Sequence, residues 1–232
     1  MNKLLFFFRR NKSILISLLI IWLLFTVYLL FYKGDNVKTF SYYSEVSEEY
    51  NAEWDKYYGI NNDYVCHIVF DTGIINLPVL KCTDNNYYLR RNIYRNSDIN
   101  GNPFMDYRCS FDDQNIIIYG HYTGDDSNPM FTPLESLFVT RDNDYVNLNL
   151  RTTIRRYKLA AVILIDGENG INYPFINRNF SKEGINELND YITLYSAYHI
   201  KDLISKNDNL LTLITCTYFL DEYREIAIFK EC

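Results

Sequence analysis

The chain has 232 residues, room for one domain or for one and a small extra piece. Its 22 Tyr and 15 Phe exclude a disordered chain, which needs low hydrophobicity. The net charge is −6, and the first twelve positions hold Lys3, Arg9, Arg10 and Lys12, so the remainder carries −10; no basic cluster persists and nucleic-acid binding is disfavoured.

Residues 13–32 read SILISLLIIWLLFTVYLLFY, twenty positions without a charge. As a helix that run covers about 30 Å, the thickness of a bilayer's hydrocarbon core. The basic residues before it place the N-terminus in the cytoplasm and the rest outside. The run is too long for a signal-peptide core and closes with Leu-Leu-Phe-Tyr-Lys-Gly rather than small residues, which favours an uncleaved anchor.

Residues 39–58 are polar and aromatic without Gly or Pro and predict one or two helices, with Ser44 or Ser47 as N-caps. Residues 64–70 (YVCHIVF) predict a strand. Residues 74–80 (IINLPVL) predict a second, which Pro78 confines to an edge or a bulge. Residues 114–121 (QNIIIYGH) form an apolar β-branched run that opens into a loop at Gly120. Residues 145–150 alternate as a half-buried strand does, and 155–165 predict a longer strand with a buried centre. Residues 181–198 predict a helix capped by Ser181, with Ile185, Leu188, Ile192 and Tyr195 on one face. Residues 210–216 (LLTLITC) and 224–230 (REIAIFK) predict closing strands. About seven strands with few helices fit a single β-barrel with helical decoration.

The chain lacks a Walker A loop, G-x-G-x-x-G, H-E-x-x-H and G-x-S-x-G. With three histidines that do not cluster and no EF-hand spacing, neither a metal nor another cofactor is expected. Of the five cysteines, Cys66 falls inside a strand pattern, Cys82 and Cys109 in polar segments, and Cys232 ends the chain. Cys66 and Cys82 read as a disulfide or, by preference, as two core thiols, since a domain this large needs no staple. Cys216 differs: it ends an apolar strand facing a polar loop, where a rigidly held thiol can meet a substrate. His121 also ends a strand. Arg224 begins the strand after the Cys216 loop, where its planar donors could hold an oxyanion. From spacing alone the bland reading is the commoner one for Cys216 and His121, and the position of Arg224 proves nothing by itself. His67 reads as a core or surface histidine, and His199 as a residue complementing a helix end.

Read in order, these segments carry a likeness. Residues 211–216 (LTLITC) are similar to the TLxTC signature of sortases, and Arg224 follows eight residues on, as in class B members. Residues 115–121 (NIIIYGH) resemble the family's strand leading to its histidine. Residues 85–92 (NNYYLRRN), then 103–108 (PFMDYR), resemble the class B elements YL-x-x-N and F-x-D-Y-R; 76–79 (NLPV) resemble its early N-Y-P-V strand. The likeness covers most of residues 60–230. Two departures stand out: Tyr122 where the family often has Asn, and the acidic stretch 166–170 (DGENG).

The resemblance implies a mainly β, sortase-like closed barrel of about seven to eight strands. An N-terminal helical element precedes it, a helix lies between strands 6 and 7, and one transmembrane helix leads the chain. The implied division is a cytoplasmic tail (1–12), a signal anchor (13–32), a juxtamembrane linker with helices (33–59) and a catalytic domain (60–232). The implied activity is cysteine transpeptidation on the outer face of the cell membrane. Cys216 is the nucleophile, His121 the proton-transfer partner and Arg224 the oxyanion stabiliser. The implied partners are a surface protein bearing a sorting signal similar to Pro-x-Thr-Gly/Asn, and an amine of a peptidoglycan precursor or cell-wall peptide. By position, Asn85, Leu89 and Tyr173 are the candidate substrate-binding residues. A papain-like protease fits less well, because its Cys usually sits on a helix. A pilin-polymerising sortase using a Lys amine would share the same residues, and so would an inactive, sortase-like binding module.

Overall fold

The computed structural model of the protein describes residues 52–124, 130–138, 145–166, 173–199, 203–216 and 223–232. The expected tail, the anchor at 13–32 and most of the juxtamembrane segment lie outside the described residues, as do 167–170 of the acidic stretch. Among the described residues no helix is long and apolar enough to cross a membrane.

Helix α1 (52–60) buries Trp54 against Tyr64, Leu80, Tyr88 and Phe104 at one end of the barrel. Strand β1 (Tyr64–Phe70) turns at Gly73, whose φ of 75° suits a residue without a Cβ, into β2 (Asn76–Leu80). The antiparallel register pairs Pro78 with His67. On its other side β2 meets only the two-residue strand β3 (Phe104–Met105), through Leu80 and Phe104, so the missing N–H of Pro78 costs little there. Strand β4 (Asn115–Tyr119) is antiparallel to β3. Strand β5 (Tyr145–Asn149) pairs with β1 and with β6 (Ile154–Asp166), the longest strand. Helix α2 (Lys182–Tyr195) leads into β7 (Ser196–His199), and β8 (Leu210–Cys216) and β9 (Tyr223–Glu231) close the chain.

The strand order is β5-β1-β2-β3-β4-β8-β9-β6-β7, and a further β5–β6 pairing closes the first eight into a ring. Strand β7 flanks β6 outside that ring. Ring closure removes the open edges that would otherwise invite pairing with other chains. Phe70 on β1 meets Phe229 on β9 edge-on at 5.8 Å, which identifies the side of β9 that faces the interior.

The eight-stranded ring agrees with the closed barrel expected from the resemblance. Two strands, β3 within the ring and β7 outside it, have no counterpart in the sequence pattern. The helix expected over 181–198 is capped as predicted, with Ser181 Oγ accepting from the Gly184 amide, but it ends at Tyr195. Sheet pairing overrides helical periodicity here. Ser196 Oγ exchanges hydrogen bonds with the Val162 amide and carbonyl, at 3.2 and 3.0 Å, and docks the chain onto β6. Tyr195 is consequently 52% exposed instead of facing the core, and His199 lies on β7 rather than at a helix end.

Candidate active site

Strands β4 and β8 run parallel, with Ile118 beside Leu213 and Tyr119 beside Ile214. The Gly120 amide continues the ladder by donating to the Ile214 carbonyl at 3.0 Å. His121 lies two residues beyond Tyr119, and Cys216 two beyond Ile214. Parallel strands stay in step, so both residues reach the same rim of the barrel. Across β8 and β9 the register pairs Cys216 with Arg224. Three consecutive strands in the sheet, each about 4.8 Å from the next, therefore bring residues His121, Cys216 and Arg224 to one rim.

His121 is half-buried, and its Nε2 lies 2.7 Å from the Leu89 carbonyl oxygen. A carbonyl only accepts, so Nε2 carries the hydrogen and Nδ1 is the ring nitrogen left to exchange a proton. The carbonyl is itself well held. Leu89 belongs to a short 3-10 turn (Tyr87–Arg90) whose entry is pinned by Asp84 Oδ1, accepting from the Asn86 and Tyr87 amides at 2.7 and 2.8 Å. Tyr88 is fully buried, and its hydroxyl donates to Asp63 and accepts from Asn61. Gly101, at φ 61°, packs so closely beneath the turn that a Cβ there would lie 2.7 Å from the Leu89 oxygen.

The three candidate substrate-binding residues separate. Leu89 sits against His121 through its backbone. Asn85 spends both side-chain polar atoms inside the protein: Nδ2 donates to Asp106 at 3.2 Å and Oδ1 accepts from the Tyr107 amide at 2.9 Å. Burial opposes ionisation of Asp106, but paired hydrogen bonds from Arg108, at 2.8 and 2.9 Å, outweigh it and hold the carboxyl below its ordinary range. Tyr173 stacks on Phe175 at 5.2 Å and meets Tyr191 of α2 at 5.8 Å.

Three of the other thiols, Cys66, Cys82 and Cys109, are poorly suited to nucleophilic attack. Cys66 is fully buried and desolvation pushes its thiol far up; Cys109, expected in a polar segment, is also core, pushed up to about 11 by burial. Cys82 is half-buried and raised by desolvation, and neither it nor Cys66 is in a disulfide. His67 is a core histidine, its charged form disfavoured by burial down to about 4. Among the described residues no group of three or more His, Cys, Asp or Glu could hold a metal.

Sequence reading passes over Glu225, the residue after Arg224. It is fully buried, desolvation and the nearby Glu135 raise its carboxyl to about 8, and neither oxygen meets a hydrogen-bond partner among the described residues. The available signal is an acid immediately before the apolar run 226–229 (IAIF).

No family model matches the chain. It is 28% identical to sortase B of Listeria monocytogenes over 166 residues, 68% of this chain and 64% of that protein. It is also 28% identical to sortase B of Staphylococcus aureus, over 78% of this chain and 73% of that one. The chain thus spans just under two thirds of the length of the Listeria relative. The crystal structure of Clostridium perfringens sortase B superposes with a TM-score of 0.70 at 26% identity, over 77% of this chain and 98% of that one. In sequence and in fold, the chain is similar to the class B sortases. A Staphylococcus aureus sortase B–substrate complex shares the fold at a TM-score of 0.69 and 20% identity, over 82% of this chain. The likeness in fold covers 77% to 82% of the chain.

Proposed function

We propose that the chain is a cysteine transpeptidase that cleaves a sorting signal similar to Pro-x-Thr-Gly/Asn and joins the released protein to a cell-wall peptide amine. The observation that carries this reading is the register that sets Cys216 between His121's strand and Arg224 at one rim. The Cys216 sulfur attacks the Thr carbonyl and forms a C–S bond. Arg224 donates to the tetrahedral oxyanion, and the C–N bond breaks as the leaving amine takes a proton from His121 Nδ1. Retaining its Nε2–H on the Leu89 carbonyl, the imidazole stays oriented through both proton transfers. An acceptor amine then attacks the thioester, gives a proton back to Nδ1 and releases the thiolate. Water in place of the amine gives slow hydrolysis.

The apolar run at 13–32, with its basic flank, supports a single-pass anchor that keeps the N-terminus in the cytoplasm and the barrel outside, where surface proteins and wall amines meet. Incubation with a Pro-x-Thr-Gly/Asn peptide and an oligoglycine or wall-peptide amine tests the reading. The expected product is the new peptide bond to the amine. Cleavage that ignores added amine would reduce the protein to a hydrolase, and no cleavage of any such peptide would remove the reading.

A further inference from the structure

The rung of sheet next to the Cys216–Arg224 pair is Thr215 opposite Glu225. Neighbours along a strand alternate faces, so Glu225 and Thr215 point away from Arg224, which is exposed. They share the side of β9 that carries Phe229, the barrel interior. Glu225 and Thr215 are both buried, and Thr215 Oγ1 also meets no hydrogen-bond partner among the described residues. Phe131, Leu134 and Leu137 are buried in the core, and the 3-10 segment Thr132–Phe138, termed the stopper below, packs on β9. The stopper fits because residue 120 is glycine: a Cβ there would lie 2.5 Å from the Phe131 ring. It hangs from the site itself, since the Phe131 amide donates to the His121 carbonyl at 2.9 Å and Tyr122 Oη donates to Glu135 at 2.9 Å.

Among the described residues, the groups facing Glu225 are uncharged Thr215 on β8, Leu164 at the paired position of β6, and the Glu135 carboxyl on the stopper. Arg224 lies one residue back on the opposite face. A buried carboxylate is costly without a partner, and the nearest charge along the stopper is of the same sign. We infer that Glu225 is a positioning residue that sets the alkaline limit of the reaction. Neutral, it lets the stopper close beneath the Cys216–Arg224 rung; ionised, it drives the stopper out and the rim loses its geometry. The inference rests on the transpeptidase reading for its kinetic consequence only. The proton leaves to solvent.

The test compares kcat/KM for a sorting peptide from about pH 6 to about pH 10 in the wild type and in Glu225→Gln, with near-UV circular dichroism of both recorded in parallel. Wild-type kcat/KM is expected to fall about tenfold per pH unit on the alkaline side, together with the aromatic dichroism of the stopper. Glu225→Gln holds both to at least about one unit higher, and Glu225→Asp restores the wild-type limb. Superimposable alkaline limbs, or wild-type dichroism that is flat across the range, overturn the inference. If Glu225→Gln fails to fold, the wild-type dichroism below about pH 9, where ordinary tyrosines stay neutral, decides alone. If the wild type turns over no sorting peptide at any pH, the transpeptidase reading falls and the optical titration still decides whether Glu225 governs the stopper.

Discussion

Cys216 and Arg224 face each other as cross-strand partners on β8 and β9, at the end of the barrel where His121 leaves β4. That rung makes the role of Arg224 measurable. An oxyanion donor acts mainly in the transition state, so Arg224→Ala is expected to lower kcat by about 10²–10³ with little change in KM. Arg224→Lys should rescue little, since a point charge does not reproduce the planar donor pair. Steady-state kinetics on a fluorescent sorting peptide checks this; near-normal kcat in both variants would leave Arg224 as a surface residue only.

Gly101 lies far from the thiol in sequence yet close to the geometry of the base. Gly101→Ala forces a Cβ against the Leu89 carbonyl at a φ of 61°, a strain of roughly 1–3 kcal/mol. The expected result is a lower kcat and a changed nitrogen-15 signature of the His121 ring, because the hydrogen bond that fixes its tautomer is displaced. A variant that loses stability while both readouts stay put would separate Leu89 from the working imidazole.

His67 predicts an acid-side loss of stability. Burial holds its folded-state value near 4, below the ordinary 6.5, so the unfolded chain binds the proton first. Stability is then full above pH 6.5 and falls as pH drops from 6.5 towards 4, by roughly 3 kcal/mol at most. Denaturant titrations across that window should show the slope in the wild type and a flatter one in His67→Phe. Parallel slopes would assign the acid sensitivity elsewhere.

Asn115 is fully buried and joins three segments. Its Nδ2 donates to the Phe175 and Asn177 carbonyls at 2.8 and 2.9 Å, and its Oδ1 accepts from Thr212 at 2.9 Å. Asn115→Leu strands those partners, at roughly 1–3 kcal/mol for each group left unsatisfied. A double-mutant cycle with Thr212→Val should return a coupling of about 1 kcal/mol; strictly additive losses would mean that the pair does not act together.

The strands that carry the site are legible because each is a long apolar run with a clear end: the run 114–121 coincides with β4 and His121, and 210–216 matches β8. Strand β3 has two residues and β7 four, too few for a period to emerge, and β7 follows a helix whose pattern runs on through it. That Cys216 and Arg224 end adjacent strands follows from the short loop between them, but that His121 joins them needs the register, which local sequence does not state. Asn85 resembles a substrate contact by position, but its partners, Asp106 and Tyr107, lie more than twenty residues away. The cost of Glu225 is likewise tertiary: it arises from burial in the folded barrel, to which nearby Glu135 adds.

The most direct measurement is intact-protein and peptide mass spectrometry after brief reaction with a sorting peptide in the absence of amine. The expected species is the protein carrying the N-terminal peptide fragment as a thioester, mapped to Cys216, released by hydroxylamine and lost in Cys216→Ala. Acylation of Cys82 or Cys232 instead, or cleavage that persists in Cys216→Ala, would contradict the account.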